Sequence, residues 1–180
     1  MASGMAEARV RADLDTLGVR SPFGLLSMYL GADAAASSFG AGAPLQTDNR
    51  MALEFSAPMA LHSSARRENV VRLRTVAAAA ARPAVVEAAW SAATAEDLAE
   101  RARILERAGA YETAYDAATA ALSKAPDQAE ALDVLSAASA ALGRRAETTA
   151  LLTRMVAGHP DLAGPRVTLS RLQASSGAFE

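Results

Sequence analysis

The sequence contains no cysteine and only two histidines. No disulfide scaffold, Cys-ligated zinc site, iron–sulfur centre or thiol chemistry can be built from it. Aromatic residues make up 4% of the 180 residues, and the formal net charge is −2. That balance supplies no global attraction to nucleic acid or to anionic lipid. Long apolar runs are missing too. The longest, Val76 to Ala81, lies between Arg74 and Arg82, far short of the roughly 20 residues a membrane span needs. The amino-terminal MASGMAEARVRADLD carries charges where a signal peptide would carry its apolar core. There is no G-x-G-x-x-G turn and no alternation of strands with helices. The expectation is a cytoplasmic chain with no cofactor and no metal.

What is abundant is alanine, 47 of the 180 residues. Alanine has the highest helix propensity and no side-chain entropy to lose, so the composition favours closely packed helices over sheet. The chain also repeats itself. Gly109 recurs as Gly143 and Gly177, and Pro126-Asp127 recurs as Pro160-Asp161, each step 34 residues. The spacing has a mechanical meaning. Ala95 to Ala108 reads as a helix with Leu98, Ala102 and Leu105 on one face, ended by Gly109 in a left-handed conformation. A second helix runs from Tyr111 to Ala125 with Ala114, Ala118, Ala121 and Leu122 inward. Pro126 stops it and Asp127 is placed to cap the next helix. The plan recurs with Leu132, Leu135 and Leu142, then Gly143, then Leu152, Met155 and Val156, then Pro160.

Period, turn glycine, terminal proline and the small residue at the helix crossing (Ala102, then Ser136) resemble the tetratricopeptide repeat. The match covers 95–128 and 129–162, with a partial unit over 163–180 that holds Leu169, Leu172, Gly177 and Phe179. Gly109, Tyr111, Ala114, Ala121 and Pro126 sit at consensus places, whereas Thr148 replaces the usual Ala. The resemblance implies an all-α helical-hairpin solenoid whose concave groove binds a protein or peptide. Its groove positions would be Glu96, Ala99, Arg103 and Glu106 in one unit, and Glu130, Asp133, Ala137 and Ala140 in the next. Arrays that grip a terminal carboxylate carry Lys and Asn at the two central places of each set. Ala99 with Arg103, and Asp133 with Ala137, do not fit that use. A mixed, rather acidic groove fits a basic or amphipathic segment, with Arg103 as its one anion contact.

Upstream of Ala95 the 34-residue phase is lost. Ser63 to Ala81 and Pro83 to Ala93 read as helices of a connector over 61–94. Further back, Ala6 to Leu17 and Pro22 to Leu30 read as helices, the second capped by Ser21 with Pro22 in its first turn. Gly31 to Pro44 reads as loop, and Met51 to Ser56 as a short strand with Leu53 and Phe55 on one face. The run Pro44-Leu45-Gln46-Thr47-Asp48-Asn49-Arg50-Met51-Ala52-Leu53-Glu54-Phe55-Ser56-Ala57-Pro58 resembles the close of the spermidine synthase-like domain of bacterial proteins. In those proteins a membrane region, a synthase domain and tetratricopeptide repeats are often joined. Asn49 stands where a second Asp is usual, and Met51 where Pro is usual. The preceding RADLDTLGVRSPFGLLSMYLGAD and a helical stretch with Arg67 and Asn69 are similar to that family as well, so the resemblance covers about residues 9–72 and implies that residues 1–60 are the end of such a domain. The nucleotide-binding turn and the catalytic acid would lie in a part this chain does not contain, so aminopropyl transfer by this chain alone is not expected.

Few other residues suggest chemistry. His62 and His159 have no Cys or carboxylate cluster at ligand spacing, and His159 sits at a helix end just before Pro160, where a cation complements the dipole. Asp48 and Glu54 would need a pocket to act as an acid–base pair; a local turn bond is the commoner use of a loop Asp. The resemblance offers Asp48 a place at the edge of the parent enzyme's active site. Arg66, Arg67, Arg72 and Arg74, interleaved with Val70, Val71 and Leu73, read as a solvated helix face. The expectation is therefore an all-α docking or scaffolding module in a fragment of a larger, membrane-anchored protein. Two alternatives stand beside it: a non-catalytic part of an aminopropyltransferase-like enzyme, and a free-standing repeat protein.

Overall fold

A computed structural model describes residues 4, 7–43, 65–79 and 81–175. Among them every regular element is a helix, and the fold is all-α. Among the described residues ten helices follow one another: α1 Ala8–Leu17, α2 Pro22–Leu26, α3 Asp33–Gly40, α4 Ala65–Ala79, α5 Ala84–Ser91, α6 Ala95–Arg107, α7 Tyr111–Lys124, α8 Ala129–Leu142, α9 Arg145–Gly158 and α10 Ala163–Ser175. Packing sorts them into two compact units, one holding the described residues of 1–27 and 89–180, the other those of 28–88.

Local chemistry sets the helix limits of the first unit. Thr94 and Asp97 form a capping box at the start of α6: the Thr94 hydroxyl accepts from the Asp97 N–H at 3.2 Å, and the Asp97 carboxylate accepts from the Thr94 N–H at 3.0 Å. This satisfies two backbone groups at opposite ends of one turn. Gly109 and Gly143, in phase in the sequence, share a left-handed backbone at φ 73° and 69°. Behind each, the next N–H reaches back to a helix carbonyl at 2.9 Å, Ala110 to Leu105 and Arg144 to Ser139. The cap of α8 is Gln128, whose side chain accepts from the Ala131 N–H at 2.9 Å, and not Asp127, which is exposed. Asp127 falls one residue too early to reach an N–H of the first turn.

Small side chains let these helices approach closely. Ala99, Ala102, Ala114, Ala118, Ala121, Ala131 and Ala138 are fully buried, and Leu98, Leu122, Leu132, Leu135 and Leu152 fill the space between them. Helix α6 packs on α7 and α8, α7 on α8, α8 on α9 and α10, and α9 on α10. Each helix therefore touches its successor, and α6, α8 and α10 touch one another in turn.

The sparser α8–α9 pairing carries a polar pin. Thr148 on α9 is fully buried, and its Oγ1 lies 3.1 Å from the Arg144 carbonyl, 2.9 Å from Ser139 Oγ and 3.2 Å from the Tyr115 hydroxyl. A hydroxyl has one proton to give and two lone pairs. Thr148 donates to the carbonyl and accepts from Ser139 and Tyr115, which saturates it. Thr148 thus ties α7, α8 and α9 together. The Arg144 guanidinium lies 5.5 Å over the Tyr115 ring.

Two expectations upstream are corrected. Residues 33–40, read as loop, form α3, because Asp33 and three consecutive alanines outweigh the flanking glycines and serines. Helix α2 ends at Leu26 and not at Leu30; its start is as expected, with Ser21 Oγ accepting from the Gly24 N–H at 3.0 Å. In the second unit α3 packs on α4, and the Arg72 guanidinium sits 5.4 Å from the Phe39 ring centroid. Val70 and Val71 are exposed, so the apolar side of α4 is not a buried stripe along its length.

Candidate functional site

The groove positions fall on α6 and α8, and the structure separates them sharply. Glu96 and Ala140 are exposed, Ala137 is half-buried, and Ala99 is fully buried, so no ligand can touch Ala99. The remaining four, Arg103, Glu106, Glu130 and Asp133, converge. Arg103 Nη1 lies 3.0 Å from Glu106 Oε2, its Nε 3.4 Å from Glu130 Oε1, and its Nη2 3.9 Å from Asp133 Oδ2. The helix period explains this: Arg103 and Glu106 are one turn apart on α6, and the contact of α6 with α8 brings the first turn of α8 alongside.

Arg103 is therefore not a free cation waiting for an anion, as the sequence had suggested. Its planar fork is shared among three carboxylates, the arrangement a guanidinium suits best. A second arginine joins from the far end of the chain: Arg20 Nη2 contacts Glu130 Oε2, so both oxygens of Glu130 are engaged. The hydrogen bond to Glu130 raises the Arg20 pKa above its usual value, against a lowering by burial. Three carboxylates against two guanidinium groups leave the cluster one negative charge in excess. Asp133 is its open member, with 66% of its side chain exposed.

Sequence reasoning missed two members of this neighbourhood. Glu100, on the side of α6 away from α7, is only 3% exposed. Its Oε1 accepts from the backbone N–H groups of Arg20 at 2.6 Å and Ser21 at 3.0 Å. Neither Glu100 nor Arg20 has a local signal, because their partners lie 80 and 110 positions away.

The repeat-structural residues are placed as follows. Ala102 and Ala114 are fully buried, Gly109 and Gly143 end their helices, and Pro126 and Pro160 sit in the turns after α7 and α9. Gly177 and Phe179 lie outside the described residues, as do Asp48, Glu54, His62, the strand expected at Met51–Ser56 and the side chains of Arg66 and Arg67. Of the stretch that carries the synthase-like resemblance, about residues 9–72, residues 44–64 are among them. His159 is exposed at the end of α9. Among the described residues, no group of three His, Asp or Glu could hold a metal ion, and no helix is long and apolar enough to cross a membrane. Comparison with protein-family models, with curated proteins and with solved structures returns no match.

Proposed function

We propose that this chain is a docking module: tetratricopeptide-like helix pairs whose α6–α8 face holds a basic or amphipathic segment of a protein partner, without transforming it. The observation that carries the reading is the charge cluster on that face. It is negative in excess, and its open carboxylate, Asp133, stands beside the half-buried ion pairs of Arg103. Glu96 is exposed at the start of α6. A fixed guanidinium at the centre, already surrounded by carboxylates, disfavours an acidic ligand through like-charge repulsion at its rim. The 34-residue phasing of Gly109 with Gly143 and the succession of neighbouring helices support the repeat reading.

The test is fluorescence anisotropy with two labelled amphipathic helical peptides of equal length, one bearing Lys and Arg on its polar face, the other Glu and Asp. The basic peptide binds, and its affinity falls as salt rises from 50 to 300 mM because an exposed carboxylate is screened. Removing the charges of Glu96 and Asp133 together (E96Q/D133N) weakens it by about tenfold, since two rim charges contribute on the order of 1 kcal/mol or slightly more together. Equal affinity for both peptides, or indifference to E96Q/D133N, refutes the reading.

A further inference from the structure

Residues 14–27 pack on the one side of α6 that its repeat neighbours leave uncovered. Leu98, Ala102 and Leu105 face the core shared with α7 and α8, whereas Glu100, Ile104 and Arg107 lie on the opposite side of the helix and Arg101 on its flank. Each of these four meets the amino-terminal segment. Val19 is fully buried with Ile104 and Leu14. Glu100 accepts the N–H groups of Arg20 and Ser21. Arg101 donates from Nη1 to the Ser27 carbonyl at 2.7 Å, and its guanidinium lies 4.7 Å over the ring of Trp90, which Phe23 meets edge-on at 5.4 Å. A Cβ added to Gly18 would stand 2.6 Å from Arg107 Nη1, and one added to Gly24 would stand 2.1 Å from Glu100 Oε1. At Gly24 an added side chain would have to displace the buried Glu100 carboxylate, and at Gly18, where Arg107 could move aside, the left-handed backbone at φ 76° itself favours glycine.

We propose that residues 14–27 are the amino-terminal cap of the helical array and that Arg20 is a clasp from this cap to the second helix pair. In a stack of hairpins the first helix exposes a flank that a preceding pair would cover, and a terminal element with a polar outer side has to replace that pair. Here the replacement comes from residues separated from α6 by the whole of the second unit. Its distinctive feature is reach. The Arg20 backbone is bound to α6 through Glu100, while its side chain passes to Glu130 in the first turn of α8. One residue thus ties together the two helices that supply the groove positions, and the start of α8 is held from both sides of Glu130, by Arg103 and by Arg20. Arg20 is a positioning residue. This inference rests on helix packing alone and not on any ligand, so it stands or falls apart from the docking reading.

The experiment is amide hydrogen exchange of the full chain, read by mass spectrometry. In R20A the amides of Leu132 to Leu135 on α8 exchange about fivefold faster, the upper end of what losing one exposed ion pair does. Those of Thr168 to Leu172 on α10 keep their wild-type rate. In E100A the amides of Arg20 and Ser21 lose protection, and Leu132 to Leu135 accelerate as they do in R20A. R20A/E130Q accelerates α8 no more than E130Q alone, because E130Q already removes the Arg20 link together with the one to Arg103. An unchanged α8 in R20A overturns the clasp, and so does equal acceleration of α10, or additive effects in the double variant. Full protection of Arg20 and Ser21 in E100A overturns the cap.

Discussion

Replacing Thr148 with valine removes one oxygen and hardly changes volume, which makes it a clean probe of the pin between α7, α8 and α9. In T148V the Ser139 and Tyr115 hydroxyls lose their acceptor. Ser139 is fully buried and Tyr115 is 4% exposed, so water cannot replace the missing partner without opening the helix contacts. A buried hydroxyl left unpaired costs about 1–3 kcal/mol. Two of them, offset by the modest gain from an added methyl, give a loss of about 3 kcal/mol. The midpoint of thermal unfolding then falls by roughly 10 °C. Urea unfolding followed by far-UV circular dichroism measures the loss directly, with an unchanged slope showing that the native surface is intact. Emission of Trp90, the single tryptophan, follows the same unit. T148A, which installs the residue usual in tetratricopeptide repeats, is at least as damaging, because a void joins the unpaired hydroxyls. The sharper comparison is T148V/S139A/Y115F, which strips all three polar groups and keeps the Tyr115 ring beneath Arg144. It recovers to within about 1 kcal/mol of wild type, since matched removal of hydrogen-bond partners is nearly neutral. T148V within 0.5 kcal/mol of wild type, or a triple variant no better than T148V, would refute the pin (both thresholds are about the resolution of such measurements).

Two further substitutions probe the helix crossings and turns. A102L forces a large side chain into a fully buried crossing and destabilises by about 1–3 kcal/mol, whereas A120L on the exposed side of α7 stays within about 0.5 kcal/mol; thermal unfolding of the two side by side decides it. Gly143 has a positive φ and Gly158 does not, while neither would bring a new Cβ against neighbouring atoms. Backbone strain alone therefore makes G143A lose about 1 kcal/mol, and G158A gains a few tenths through reduced freedom of the unfolded chain, a difference of sign visible in urea titrations.

How much of this was legible in the sequence follows the range of the interactions. Helices α6 and α7 were readable to within a residue because propensity, periodicity and turn chemistry are local, whereas α2 stopped four residues short of its expected end. Leu98, Ala114 and Leu135 were inward as their spacing required, and Gly109 and Gly143 adopted the conformation that a glycine in phase with a helix end suggests. Gln128 displaced Asp127 as a cap because capping depends on one residue of register, finer than any pattern of apolar residues resolves. Residues 33–40 went helical on alanine propensity, against a punctuation of glycine and serine that favoured a loop.

The candidate site divides in the same way. That Arg103 and Glu106 share one face of α6, and Glu130 and Asp133 one face of α8, follows from a period of 3.6 and was determined by the sequence alone; that both faces belong to one groove is what the resemblance to the tetratricopeptide repeat implied. Which of these groups is open and which is already engaged was decided by tertiary structure. A guanidinium and a carboxylate attract over only a few ångströms once solvent and salt have screened them. Their pairing is therefore set by where the backbone brings them, and Arg20, 110 positions from Glu130, is brought there only by the packing of the cap. The burial of Glu100 has the same origin: a charge beside Ala99 and Arg101 reads as solvated helix surface until another segment of chain lays two N–H groups against it.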